Sequence, residues 1–321
     1  MPRRIVLITV TAGLALAWAA GIALALAAPA FILKWGSAGT GAGQFQFPHG
    51  LATGPGGFVY ISDTINHRVQ KFSGVGAYQT QWSTVDDCAG IATDASGNVY
   101  VAVGHGVKKY SSGGALLTSW GSQGSGSGQF QYAQGVAVDG LGFVYVTDWL
   151  NYRVQKFTGA GAYVGEWGSQ GSGNGQFAGI TWVAVDGAGV VTIADSDNHR
   201  IQTFTGGGAY LGQWGGLGSG DGQFNFPAAP AFGPGGYLVV PDSENNRVQI
   251  LRLDGSFVVA WGTPGAANGQ FNHPTAAGVD ASGAIFVLDK DNARVQKFAS
   301  VVTATRPASW GGVKAGYRRG R

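Results

Sequence analysis

The chain has 321 residues, of which 57 are Gly and 11 Pro; 45% are hydrophobic, 12% are charged, and the net charge is +3. So much Gly excludes a helical protein, because Gly inside a helix costs about 1 kcal/mol relative to Ala, and the apolar content excludes a disordered one. The single Cys88 excludes an intramolecular disulfide and a Cys-based zinc cluster.

Arg3 and Arg4 precede an uncharged apolar run from Ile5 to Ala28, which closes on Ala28-Pro29-Ala30. The run predicts a hydrophobic helix over residues 1–30. The small residues Ala28 and Ala30 before Phe31 fit a signal-peptidase cut, whereas a run long enough to cross a bilayer (roughly 20 residues) fits a retained anchor. A strand-like segment begins at Phe31 with no linker, which favours the cut. Either way the basic end stays in the cytoplasm and the rest is exported, secreted or tethered to the outer face, with membrane contact only through this segment. Residues 31–300 hold 13 Lys and Arg against 17 Asp and Glu, a net of −4, and the other basic residues lie near the two ends. An acidic body is the wrong sign for a nucleic-acid partner.

From Phe31 onward the chain repeats itself. Trp35, Trp82, Trp120, Trp167, Trp214, Trp261 and Trp310 are spaced 47, 38, 47, 47, 47 and 49 residues apart. Between them each unit reads Trp-Gly, a Gly/Ser tract, Gly-Gln-Phe, an apolar run, a Gly turn, a segment like FVYISD and a segment like NHRVQKF. A DxxNxR motif recurs as Asp63-Asn66-Arg68, Asp148-Asn151-Arg153, Asp195-Asn198-Arg200, Asp242-Asn245-Arg247 and Asp289-Asn292-Arg294. Four segments of period two fill each unit, in the third GVAVD, FVYVTD, RVQKF and AYVGEW, here named strands A to D. Four antiparallel strands per repeat make a blade, so six units predict an all-β, six-bladed β-propeller over 31–302, followed by a basic tail over 303–321. FILKWG at Phe31–Gly36 matches AYLGQWG at Ala209–Gly215, so the N-terminal segment is expected to supply strand D of the last blade and close a monomeric ring.

The units resemble NHL repeats, the Asn-His-Leu type of triplet being occupied here by Asn66-His67-Arg68 and Asn198-His199-Arg200. The resemblance covers residues 31–298 and implies a six-bladed propeller of four-stranded blades. NHL propellers serve as protein-binding platforms, RNA-binding domains, sensors on bacterial surface proteins and peptidyl-hydroxyglycine amidating lyases, and fold does not choose among these.

Residues common to every blade are read as scaffold. The Trp of strand D and the Phe of Gly-Gln-Phe suit packing between blades, and the pairs Asp63–Arg68, Asp148–Arg153, Asp195–Arg200, Asp242–Arg247 and Asp289–Arg294 suit fixing the B–C corner. Function is expected where copies differ. The D–A and B–C connections share one face with the channel mouth, where the register places His49, Ala89, Gln134, Thr181, Ala228 and Thr275. The B–C loops vary between Asp and Asn as Thr64-Ile65, Trp149-Leu150, Ser196-Asp197, Ser243-Glu244 and Lys290-Asp291. Blade 3 stands out with Trp149, Leu150 and Tyr152, and blade 4 offers Trp182 where other copies have Gly or Ala. Either these aromatics form a binding patch, or Trp149 folds over its own blade and Trp182 plugs the channel. Blade 2 lacks both DxxNxR and Gly-Gln-Phe, which is expected to leave a notch lined by Asp86, Asp87, Cys88 and His105 beside His49.

These features predict a non-catalytic binding module for a protein, peptide or glycan on this loop face, with no cofactor and no metal. The alternative is a metal-dependent lyase of the amidating type, which needs several His on one ion. Of His49, His67, His105, His199 and His273, only His49 and His273 fall on adjacent blades near the axis.

Overall fold

The computed structural model describes residues 27–301; the apolar run up to residue 26 and the basic tail lie outside the described residues. Six four-stranded antiparallel sheets follow one another around a central channel. Blade 1 is Pro48–Gly54, Phe58–Asp63, Arg68–Ser73 and Tyr78–Ser83, and blade 2 is Cys88–Thr93, Val99–Val103, Gly106–Tyr110 and Leu116–Trp120. Blades 3 and 4 begin at strands Ala133–Val138 and Ile180–Val185 and end at Tyr163–Trp167 and Tyr210–Gly215. Blade 5 runs from Ala231–Gly233 to Phe257–Trp261. Blade 6 takes strands A to C from Pro274–Val279, Ile285–Asp289 and Arg294–Phe298, and its strand D is Phe31–Trp35, paired Phe31 to Phe298 and Trp35 to Val295. The ring is therefore closed by the N-terminal segment, as the match to Ala209–Gly215 predicted.

The core lies between blades. Phe45, Phe130, Phe177, Phe224 and Phe271, the aromatics of Gly-Gln-Phe, are completely buried. The strand D tryptophans bridge neighbours: Trp35 sits 6.1 Å from Phe286 of its own blade and 5.8 Å from Phe72 of blade 1. Such large apolar groups at every seam give each blade the same adhesive surface toward the next.

The recurrent polar residues bind the two connections of the loop face together. In five blades the Arg Nε donates to the buried Asp Oδ2 at 2.6 to 3.0 Å. The same guanidinium reaches the D–A connection, where Arg68 donates to the carbonyls of Thr40, Gly41 and Gln44. Asp63 Oδ1 accepts from Gln46 N at 2.7 Å, and Gln70 accepts from Gly43 N and donates to Gln44 O. The buried Arg–Asp pair thus carries the hydrogen bonds that a desolvated pair requires. A second tie on the opposite face was not apparent in the sequence: Lys71, Lys109, Lys156 and Lys297 each donate to a C–D turn carbonyl of the following blade.

Blade 5 departs from the repeat. Its strand A is only three residues long, and Ala229 pairs in parallel with Ala276 of blade 6 instead. Pro227 and Pro230 remove two backbone donors here. The inner strands of blades 1 to 4 pass one another closely through Gly50, Gly90 and Gly135, where a Cβ would come within 2.5, 2.6 and 2.8 Å of the next strand's carbonyl oxygens. Trp182 stands at the following step of that glycine series. Its ring fills the seam between blades 4 and 5, packed with Ala194, Ile201, Phe224 and Leu238.

Candidate binding face at the channel mouth

The D–A and B–C connections do share one face, and the strand A starts converge on it. A pocket of about 230 Å³ opens at the channel mouth, lined among others by His49, Gln134, Thr181, Trp182, Ala228 and Thr275. Trp182 is only 7% exposed and meets the ring of His49, from the opposite side of the channel, edge to face at 6.0 Å. It is buried in the wall of the pocket and takes no part in an exposed patch with Trp149.

Trp149, Leu150 and Tyr152 part company in the same way. Trp149 is 39% and Leu150 50% exposed, with Trp149 set edge to face on Tyr132 of its own blade at 6.0 Å. Tyr152 takes a left-handed turn conformation (φ 55°) that ends the short helical turn and lies half-buried against blade 4. In other blades the residue at the Trp149 position ties the loop to the next blade: Thr64 donates to Cys88 O, Ser196 to Pro227 O and Ser243 to Pro274 O. Trp149 makes no such side-chain bond among the described residues, so blade 3 gives up one inter-blade contact to present an aromatic ring.

The blade 2 notch exists, at about 320 Å³, with Asp86, His105 and Lys108 among its lining residues. Gly104 and His105 form a two-residue turn where the other blades carry DxxNxR. Lys108 stands in the place of Gln70 and donates to Thr84 O and Asp86, so it anchors the shortened connection. Cys88 does not line the notch: it is buried, its thiol donates to Arg68 O, and burial pushes its pKa up to about 12. Asp87 faces His67 at 3.1 Å instead, and His49 belongs to the mouth pocket and not to the notch.

The mouth also holds contacts that the sequence reading did not give, and two residues, Phe47 and Phe226, that it did not single out. His273 Nδ1 lies 2.6 Å from Asp291 Oδ2 and its Nε2 3.4 Å from Glu244 Oε2, joining the loops of blades 5 and 6. Lys290 sits 4.3 Å over the ring of Phe47, beside His49. Burial and the Lys290 charge lower the pKa of His49 to about 4, so its imidazole is neutral at physiological pH. Phe47, Phe226 and His273 occupy one repeat position with φ of 54°, 59° and 51°, a left-handed backbone that is rare for large side chains. Stepping by 47 from Phe47, as was done from His49, finds Phe226 and His273.

The loop face therefore has two halves. The second variable position is apolar in blades 1 and 3 (Ile65, Leu150) and acidic in blades 4 to 6 (Asp197, Glu244, Asp291), and Phe47, Ile65, Val85, Trp149 and Leu150 are all exposed. Among the described residues no three His, Cys, Asp or Glu side chains are grouped to hold a metal ion.

Six four-stranded blades around a central channel, with unlike residues gathered at one mouth, define a six-bladed β-propeller. The profile of the NHL repeat matches residues 45–72 and 130–157, and with the repeating corner described above the chain is an NHL-repeat β-propeller. It is similar in structure to a protein of unknown function from Bacteroides thetaiotaomicron (19% identity, 83% of this chain and 76% of that one, TM-score 0.66). It is also similar to a streptogramin B lyase (12% identity, 83% and 96% covered, TM-score 0.59) and to virginiamycin B lyase from Staphylococcus aureus (12%, 78% and 79%, TM-score 0.55). At these identities the likeness is one of fold. No curated protein sequence matches the chain.

Proposed function

We propose that this propeller is an exported, non-catalytic binding module whose partner docks on the face formed by the D–A and B–C connections. One observation carries the reading. The outer residues of these loops are the same in five blades and fully engaged with one another, whereas the inner residues vary from hydroxyls to Trp149 and Lys290, and several of them line a pocket. Binding energy in interfaces concentrates in a few large groups, and Trp149, Leu150, Phe47 and Phe226 are among the large exposed groups of this face. The partner is a protein, peptide or glycan of the cell exterior. Export rests on the basic-then-apolar leader and its Ala-Pro-Ala end. Pro29 is buried and Ala30 O accepts from Ala299 N at 2.8 Å, contacts that favour the form retaining its anchor over one cut after Ala30.

The test is capture from cell-envelope extract by immobilised propeller, wild type against Trp149→Ala, with folding checked by denaturant melts. Loss of the captured species in the variant supports the reading. Equal capture by both proteins removes it.

A further inference from the structure

The inner ring of the mouth contains three polar side chains that the fold leaves unused. Thr181 is the reference case: its hydroxyl bonds that of Ser196 from the adjoining loop. In blade 6 the residue at the Ser196 position is Lys290, whose ammonium lies over Phe47, so Thr275 Oγ1 is buried with no partner. In blade 3 the equivalent residue is Trp149, and the Gln134 amide, 8% exposed, has no hydrogen bond among the described residues. In blade 1 the equivalent Thr64 hydroxyl is spent on Cys88 O, and the neutral His49 ring likewise has no hydrogen bond among the described residues. All three residues line the one pocket. One of these groups, Thr275 Oγ1, is wholly buried and the other two face the cavity without a partner, so their convergence on one cavity points to a ligand that completes them.

The chemistry of that ligand follows from theirs. Imidazole, primary amide and hydroxyl can each both donate and accept, and none carries charge here. The charged groups at the rim are already answered, Lys290 by Phe47 and Asp291, Glu244 by His273. An anion or an ammonium ion would find no free counter-charge on the floor. A hydroxylated ring matches groups that donate and accept interchangeably, and the flank of Phe226, 41% exposed at the pocket edge, offers an apolar face for its C–H side. At about 230 Å³ the pocket lies below the roughly 300–1,000 Å³ of sites that engulf drug-sized ligands, which suits a single ring at the end of a larger molecule.

We propose that the mouth pocket is a sugar subsite, in which His49, Gln134 and Thr275 hydrogen-bond one neutral pyranose residue between Trp182 and Phe226. This rests on the loop face being the binding face, and it narrows the partner to a glycan.

The experiment is saturation-transfer NMR and calorimetry of the full propeller with N-acetylglucosamine, glucose, galactose and mannose as probes, and with N-acetylalanine methylamide as a peptide-like control. At least one sugar is expected to bind at millimolar affinity and more tightly than the amide. Gln134→Ala and Thr275→Val should each weaken it about tenfold, the worth of one hydrogen bond, without lowering the melting temperature of the free protein. Trp149→Ala should leave sugar affinity intact, because Trp149 lies outside the pocket. The proposal is overturned if none of the four sugars binds, if binding ignores both substitutions, or if the amide binds best. Failure on these counts leaves the docking face untouched, since that face is read by partner capture at Trp149. Conversely, sugar binding alongside Trp149-independent capture sinks docking through Trp149 and keeps the pocket.

Discussion

On the loop face an outer and an inner ring are built from the same B–C loops under opposite rules. At the outer ring Asp63, Asp148, Asp195, Asp242 and Asp289 are each wholly buried and each bonded to the Arg five residues on. One residue further along, Thr64, Trp149, Ser196, Ser243 and Lys290 range from small hydroxyls to an indole and an ammonium. The comparison shows where the fold needs a particular residue and where it tolerates any. Blade 2 confirms the point from the other side: without the outer corner it keeps its four strands, but with a two-residue turn and a lysine tether.

The two rings should respond differently to substitution. The largest effect is expected from Asp195→Ala, which leaves Arg200 buried without its carboxylate and should cost about 3–5 kcal/mol in urea unfolding, with ligand affinity per folded molecule unchanged. The corresponding change in blade 2, Asp86→Ala, removes an ion pair whose carboxylate is more than half exposed and should cost under about 1 kcal/mol. Equal losses at the two sites would erase the distinction between the corners.

The next effect is one of pH. His49 stays neutral in the folded protein down to about 4, whereas its ordinary value is 6.5. The unfolded chain takes up the proton first, so stability is complete above that ordinary value. It should fall by up to roughly 3 kcal/mol as pH drops from there to about 4. Unfolding midpoints of His49→Gln across this range should lack the slope. A variant as pH-sensitive as wild type would mean that the ring is not held neutral by the mouth.

The smallest effect belongs to an inner residue that retains a structural duty. Ser243 donates to Pro274 O at 2.6 Å, and Ser243→Ala should cost about 1 kcal/mol. A larger loss would move Ser243 into the scaffold.

Much of the outer ring was legible in the sequence because it repeats: a spacing of 47 residues displays the corner, the buried Phe and the closing strand at Phe31 without any knowledge of contacts. The inner ring was legible only in part. The register placed His49, Gln134 and Thr275 at the mouth, but not the bond network of His273, Glu244 and Asp291, which crosses two blades and depends on a left-handed backbone at His273. The short strand A of blade 5 was also hidden, since it reflects the bulk of Trp182 in a neighbouring blade and two prolines acting together. Cys88 was misplaced for a related reason, as a connection shortened by deletion turns its side chains to new directions.

The most direct test of the account compares the two faces of the propeller. Trp149→Ala on the loop face and Leu141→Lys, on the A–B turn of the same blade and 86% exposed, are both surface changes that should leave the melting transition within about 0.5 kcal/mol of wild type. Partner affinity, measured by titration against the captured envelope ligand, should weaken by about 2 kcal/mol in the first and stay unchanged in the second. Unaltered binding by Trp149→Ala together with loss in Leu141→Lys would contradict the account and move the binding site to the opposite face.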